Sequence, residues 1–273
     1  MLTPDLTHLL VMAALLLAIG GVAGVIAGLL GVGGGIVLVP AFFYLFSAAG
    51  YGSDDLMQIC LATSLATIVV TSARSVMAHN RKGAVDWQIL KDWALGIMVG
   101  AVFGVLTVAQ LRTQTLQIIF GVLVMVIALY MLLGKSSWRL ADTMPQGPVK
   151  YVLSWLTGFI SVLLGIGGGS IGVPLMTLHG VPIHRAVATA AGFGGLIAAP
   201  SALLFLFTRA EGAPPYTIGS VNIPAFVIVI AMTVLTAPIG AALAHRTEPA
   251  RLKKIFAVFL ALVALNMLRK TLF

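Results

Sequence analysis

Apolar positions in this chain run in long unbroken blocks, not in alternation and not in one-sided helical stripes. Ten blocks stand out: 6–30, 34–48, 56–79, 90–111, 115–134, 150–165, 169–180, 186–208, 222–245 and 252–271. Most approach the ~20 residues a helix needs to cross the hydrocarbon of a bilayer. Blocks 34–48, 150–165 and 169–180 are shorter, and two of these begin at a glycine triplet. The stretch Gly31-Val32-Gly33-Gly34-Gly35-Ile36-Val37-Leu38-Val39-Pro40 returns as Gly165-Ile166-Gly167-Gly168-Gly169-Ser170-Ile171-Gly172-Val173-Pro174, at an offset of 134 residues. So unusual a decapeptide returning half a chain later marks an internal duplication.

The correspondence extends beyond the motif. Gly24, Leu29 and Leu30 recur as Gly158, Leu163 and Leu164, and Ala62-Thr63 as Ala188-Thr189. Val85-Asp86-Trp87 falls where Val221-Asn222-Ile223 falls, and Leu116 to Val122 matches Leu252 to Val258. Each half holds five blocks in the same order. Residues 1–134 form a first membrane repeat and 150–273 a second. Between them, 135–149 has a loop composition, with Lys135, Arg139, Asp142, Pro145, Gly147 and Pro148.

Composition sets the solvent. Hydrophobic residues make up 60% of the chain, charged residues 9%, and the mean hydropathy is +1.08. Soluble domains are about 25% charged. In lipid only helices and closed barrels satisfy every backbone group, and these blocks exceed the ~10-residue alternating segments of a barrel. The fold class is therefore an all-α polytopic membrane protein, with the lipid bilayer as a partner. The net charge of +8 comes from cations scattered over short loops, with no basic domain, which excludes a nucleic-acid partner. A single cysteine, Cys60, allows no internal disulfide and no cysteine metal cluster; no metal or cofactor is expected. The start, Met1-Leu2-Thr3-Pro4-Asp5, lacks the positive region of a signal peptide, so 6–30 reads as a retained membrane segment.

Charge also decides how the halves are related. If each glycine stretch merely interrupts a crossing, the Lys and Arg residues divide 10 to 6 between the two sides. If the chain reverses there, Arg112, Arg209, Arg269 and Lys270 share one side and the other cations the opposite one, a division of 12 to 4. The second arrangement obeys the positive-inside rule better. It makes the halves inverted repeats of about five segments, with glycine-broken, discontinuous or re-entrant helices at the repeat interface. The expected location is a bacterial inner (plasma) membrane, multi-pass, with the central linker cytoplasmic and both termini periplasmic or extracellular. Trp87, Trp93, Trp138 and Trp155 all fall at the cytoplasmic boundary and are expected to be interfacial anchors.

A glycine triplet inside a membrane segment breaks the helix. The freed backbone groups are tolerable only within protein or facing a water-filled cavity. The helices that restart near Gly35 and Gly169 direct unpaired N–H groups and positive dipole ends inward, where they can receive an anion. Inverted repeats with discontinuous helices are the architecture of secondary transporters, with substrate near the midplane. Gly20, Gly24 and Gly28 form overlapping small-xxx-small patterns and read as helix packing. The expected substrate-binding residues are Gly33, Gly34, Gly35 and Ile36 with Gly167, Gly168, Gly169 and Ser170, while Pro40 and Pro174 set the helix geometry after each break.

A Gly-x-Gly-Gly-Gly-x-x-x-x-Pro stretch in each half of such a membrane protein resembles the TauE/SafE family of sulfite exporter permeases, over nearly the full length. The resemblance implies transport of a small sulfur-containing anion, such as sulfite, sulfoacetate or another sulfonate, usually exported from the bacterial cytoplasm.

Other polar residues extend the reading. Thr63, Thr67 and Thr71 share one face of block 56–79, with Ser64 beside them. Such a stripe either lines the anion path or makes interhelical and back-bonded hydrogen bonds. Thr63, Ser64 and, by its repeat position, Thr189 join the expected site. Arg74, His184 and Arg185 are candidates for attracting the anion, against the plainer roles of snorkelling and solvated loop. Every carboxylate falls in or beside a loop, so there is no buried proton relay or sodium ligand of the common kind. That points to a small anionic substrate. Gly168-Gly169-Ser170-Ile171-Gly172 formally fits a hydrolase elbow, but no strand precedes it and the first copy has Ile36 in place of Ser170. A transporter working by alternating access, not an enzyme, is the expectation. The alternatives are a transporter or passive channel for another anion and, further off, an intramembrane hydrolase using Ser170 with His179 or His184 as its base. A homo-oligomer is left open.

Overall fold

The computed structural model describes residues 6–30, 34–134, 138–244 and 249–272. Among them are ten helices: α1 (Leu6–Leu30), α2 (Gly35–Ala48), α3 (Leu56–Asn80), α4 (Trp87–Val108), α5 (Thr113–Leu133), α6 (Gly147–Leu163), α7 (Gly169–Leu178), α8 (Ile183–Phe205), α9 (Ile223–Ala244) and α10 (Pro249–Leu272). Each apolar block of the sequence is one helix, with ends displaced by a few residues at most. The one sheet among the described residues is a hairpin of two-residue strands, β1 (Thr217–Ile218) against β2 (Val221–Asn222), antiparallel. Six of the helices are long and apolar enough to cross a membrane; α2, α6 and α7 are shorter apolar helices. The outward faces of α1 and α9 carry Leu10, Leu15, Leu17, Val227, Leu235 and Ile239, all exposed, as lipid-facing helices should. The chain is an all-α polytopic membrane protein.

α3 and α8 pack together at the centre, and α3 is buried along most of its length, from Leu56 to Ser72. Around them α1 pairs with α9, α4 with α6, and α5 with α10. Exchanging α1–α5 for α6–α10 in order converts the α1–α9 pair into α6–α4 and returns α3–α8 and α5–α10 to themselves. The outer pairs are held by small residues. In α1, Gly20 lies against Val229 and Met232, and Gly24 against Thr233 and Thr236. Gly28 is outside the described side chains. In α4, Gly96, Gly100 and Gly104 face Ser154, Trp155 and Val162, and Gly158 of α6 lies on the Ile97 backbone. Such contacts let backbones approach closely where lipid supplies no hydrophobic drive.

The same contacts give direction. Advancing together, 20 to 24 with 229 to 236 and 96 to 104 with 154 to 162, the outer pairs run parallel. α5 and α10 run antiparallel, since Gln114 Nε2 donates to Thr271 O while Gly121 meets Ala264 and Leu268. α3 and α8 are antiparallel too: Ser64 and Ser72 advance toward the end where α8 begins. Two ends of the bundle result. At the Asp55 end α3, α5 and α9 start and α2, α4, α8 and α10 finish. At the Asp86 end α4, α6, α8 and α10 start and α3, α5, α7 and α9 finish. Arg112, Arg209, Arg269 and Lys270 lie at the Asp55 end. Arg74, Arg81, Lys82, Lys91, Arg139, Lys150, Arg185 and Lys254 lie toward the Asp86 end. Lys135 and Arg246 are outside the described residues.

Two tryptophans depart from the expected boundary role. Trp93 is 1% exposed and stacks on Phe193 of α8 at 6.1 Å, because α4 lies against α8 at this level. Trp155 sits in the α4–α6 seam, stacked on Phe159. Trp87 and Trp138 are half exposed.

Candidate functional site

The helices that follow the two glycine stretches, α2 and α7, each run back toward the end from which the preceding helix came. α6 leaves the Asp86 end and stops at Leu163. Gly165 takes φ +58°, a left-handed conformation that glycine adopts without a Cβ penalty. The Gly165 and Ile166 N–H groups close the α6 end on the carbonyls of Val162 and Ser161. α7 then returns to the Asp86 end within ten residues, where the Leu178 carbonyl accepts from Leu140 N–H at 2.8 Å. In the first copy Gly31, Val32 and Gly33 are outside the described residues. Gly34, at φ +73°, caps α2, which returns to the Asp55 end from which α1 came. Pro40 and Pro174 lie inside α2 and α7. Lacking an N–H, each removes the helical partner of the carbonyl four residues earlier, on Ile36 and Ser170.

The two stretches meet. Gly35 is so close to the Gly165 carbonyl, to Ile166 and to Ile68 that it has no room for a Cβ. Ser64 Oγ, fully buried, donates to Gly165 O at 2.7 Å and so holds the second break against α3. Gly168 packs on Phe193 and Ala190 of α8, and Gly167 on Ile68 and Gly194. Between them is a cleft of about 30 Å³, lined by Ile68, Thr71, Ser72 and Ser75 of α3, by Gly167–Gly169, and by Ala190, Ala191 and Gly194 of α8. That is room for one or two waters. Among the described residues, none accepts from the amide N–H groups of Gly167, Gly168, Gly169, Ser170 and Ile171. The cleft thus brings the unpaired amides of Gly167–Gly169 together with Thr71, Ser72 and Ser75, the first two of whose hydroxyls donate to Thr67 O and Ala191 O, with no carboxylate among its lining residues.

The expected site residues divide. Gly167, Gly168 and Gly169 line the cleft; Ser170, in the first turn of α7, follows them in sequence, and Ile36, 1% exposed, is buried in the first turn of α2 and does not line it. Gly34 and Gly35 stand at the start of α2, and Gly33 is outside the described residues. Ser64 is engaged with Gly165. Thr63 and Thr189 are away from the cleft: Asn222 N–H donates to Thr63 Oγ1 at 3.0 Å and Asp86 N–H to Thr189 Oγ1 at 2.9 Å. Thr67 donates back to Ser64 O and Thr71 to Thr67 O. Arg74 and His184 are exposed, and Arg185 is paired with Asp86 at 3.0 Å. His179 Nδ1 lies 2.7 Å from Leu175 O, at the opposite end of α7 from Ser170, so the two do not form a nucleophile–base pair. Ser72, Ser75 and Gly194 escaped the sequence reading. For Gly194 the signal was the run Gly192-Phe193-Gly194-Gly195, which lets α8 approach α3 and the second break; Ser72 and Ser75 carried none.

A family model described as sulfite exporter TauE/SafE matches residues 16–267. A Haemophilus influenzae protein named "probable membrane transporter protein" is 34% identical over 260 residues, covering 94% of this chain and 98% of the relative. A Methanocaldococcus jannaschii protein with the same description is 26% identical and covers 95% of this chain and 96% of its own length. A Bacillus subtilis probable membrane transporter protein is 28% identical over 64% of this chain and 71% of the relative. No solved structure matches.

Proposed function

The chain belongs to the TauE/SafE sulfite exporter family, and from that premise we propose that it exports a small sulfur oxyanion or organosulfonate, with sulfite the first substrate to try. The observation that carries this reading is the cleft, lined by Gly167, Gly168 and Gly169, whose amide N–H groups have no acceptor among the described residues, together with Thr71, Ser72 and Ser75. Unpaired amide N–H groups suit an anion, and the lining offers no carboxylate to hold a cation; of the lining hydroxyls, those of Thr71 and Ser72 already donate to backbone carbonyls. The first stretch, from Gly34 on, starts α2 in the opposite direction and touches the second at Gly35, against Gly165 and Ile166. Names of the relatives support transport in general.

The two halves are proposed to be inverted repeats that rock against each other about this site. The antiparallel pairing of α3 with α8 and of α5 with α10 supports it, since a two-fold axis lying in the membrane plane reverses each helix onto its counterpart. The Asp86 end, richer in Lys and Arg, faces the cytoplasm in this reading of an inner-membrane protein. Tags on the C-terminus are then expected to be reached from outside the cell, and accessibility from inside only would reject the orientation.

Function is tested by reconstituting the full chain in liposomes loaded with sulfite, sulfoacetate, sulfate or acetate and following efflux. Protein-dependent, saturable efflux of sulfite or the sulfonate, exceeding that of acetate, is expected. Equal flux of all four would replace the reading with an unselective anion path, and failure to build any gradient under an applied driving force would replace a pump with a channel.

A further inference from the structure

We propose that the two threonine contacts between the halves, Thr63 with Asn222 and Thr189 with Asp86, are the opposing gates of the transport cycle, and that the structure has both closed. This rests on the alternating-access reading above. Each contact is the same construction seen from the other half. A threonine about two turns into a central helix receives the backbone N–H of the residue that caps an outer helix of the opposite repeat. Asp86 caps α4, its side chain accepting from Gln88 and Ile89 N–H, and Asn222 Oδ1 accepts from Ala225 N–H at the start of α9. Thr63 and Thr189 are both fully buried. Thr63 closes the Asp55 end of the α3–α8 pair and Thr189 the Asp86 end, with the cleft between them.

Each gate is linked to the site. From Thr189, α8 continues through Ala190 and Ala191, which line the cleft, and the Ala191 carbonyl accepts from Ser72 Oγ at 2.5 Å. Gly192 takes Leu90 of α4, and Phe193 lies between Trp93 and Gly168. A shift of α4 away from Thr189 therefore moves the same segment of α8 that walls the cleft. From Thr63 the next residue is Ser64, which holds Gly165.

The gates differ in strength. At the Asp86 end the capping residue is charged and carries an ion pair with Arg185, one turn before Thr189 on α8. At the Asp55 end the corresponding residue is neutral, 3% exposed, and its amide donates to Pro215 O and Thr217 Oγ1 within its own loop. The Asp86 gate is thus an exposed ion pair, open to competition from water and from anions, while the Asp55 gate is a buried set of neutral hydrogen bonds.

The test uses cysteine reporters and a membrane-impermeant thiol reagent on oriented membrane vesicles holding the full chain with Cys60→Ala. Ser75→Cys reports the cleft; Ser201→Cys, twelve residues past Thr189 as Ser75 is past Thr63, reports the mirrored position. Arg185→Gln and Asp86→Asn, the latter keeping a good helix cap, are each expected to raise labelling of Ser75→Cys from the Asp86 end about tenfold, within the usual range of coupling between sites. Thr63→Val is expected to do the same for Ser201→Cys from the Asp55 end. Thr189→Val behaves like Arg185→Gln, while Thr189→Ser retains the hydroxyl and the parental rate. Unchanged rates, or both reporters exposed at both ends together, would overturn the gates; the Thr189→Ser control and monodisperse elution separate gating from misfolding. No substrate enters this measurement. One-sided shifts in a protein that moves no sulfite leave the gates standing and remove the substrate, and sulfite flux with unshifted labelling does the reverse.

Discussion

Gly168→Leu is expected to bring transport to the level of protein-free liposomes while the protein still inserts and elutes as a single species. The reason is steric and local. Gly168 has an ordinary helical φ of −62°, so backbone strain is not at issue. What fails is space: a Cβ there meets Phe193 Cβ, Ala190 O at 2.9 Å and Gly194 N at 3.1 Å. Two of these atoms are backbone and cannot swing aside, so α7 must lift off α8 and carry its amide donors away from Ser72 and Ser75. Overpacking of this kind costs about 1–3 kcal/mol in a close-packed interior, tolerable for a bundle whose larger seams lie elsewhere. Gly167→Ala supplies the contrast. Its Cβ would find Ile68 at 3.4 Å and Gly194 at 3.6 Å, ordinary contacts, and this variant is expected to keep measurable flux. Sulfite efflux from liposomes containing each variant separates the two, and equal flux through both would discard the second glycine stretch as the site.

The second large effect is on assembly. Gly158→Leu places its side chain into the Ile97 carbonyl and the Ala101 amide of α4. Gly100, on the other side of the seam, is equally close to Trp155 O, so neither helix has room to yield. Forcing the backbones apart removes the van der Waals contact that holds transmembrane helices together in the absence of a hydrophobic drive. Loss of most of the folded protein is expected, read as a collapsed monodisperse peak in detergent and a lowered thermal midpoint. A parental yield and midpoint would mean that α4 and α6 can separate freely. The difference from Gly168→Leu lies in what each glycine supports: one positions the short helix α7, the other holds α6 against the span α4.

Ten helices were legible because apolar blocks interrupted by Gly, Pro and charge are a direct record of the solvent each segment meets. The reversal at each triplet was legible from the placement of Lys and Arg, since cations respond to the two faces of a membrane and not to the fold between them. The polar stripe of α3 was less so. The sequence presents Thr63, Ser64, Thr67 and Thr71 as neighbours on one helix, yet their partners are Asn222, Gly165 and their own backbone. A hydroxyl 159 positions from its partner carries no local mark of the pairing. Trp93 misled for a related reason: its place near a helix start suggested the interface, but the helix beside it, α8, covers it. The cleft residues Ser72, Ser75 and Gly194 share no motif, being drawn together only when α3 crosses α8.

The shortness of α7 has a consequence for how the protein is made. Ten residues reach about 15 Å, half the hydrocarbon, too little to enter the bilayer as a span in its own right. Its unpaired amides would also face lipid until α8, which walls the cleft with Ala190, Ala191 and Gly194, is in place. α3 has been synthesised by then, but α8 has not. The segment must therefore wait at the membrane surface until the following helix has been inserted, and then be drawn in against it. The same holds for α2, which needs α3. Each half is completed out of the order in which it is translated, and a ribosome stalled between α7 and α8 leaves a chain whose cleft lacks its α8 wall.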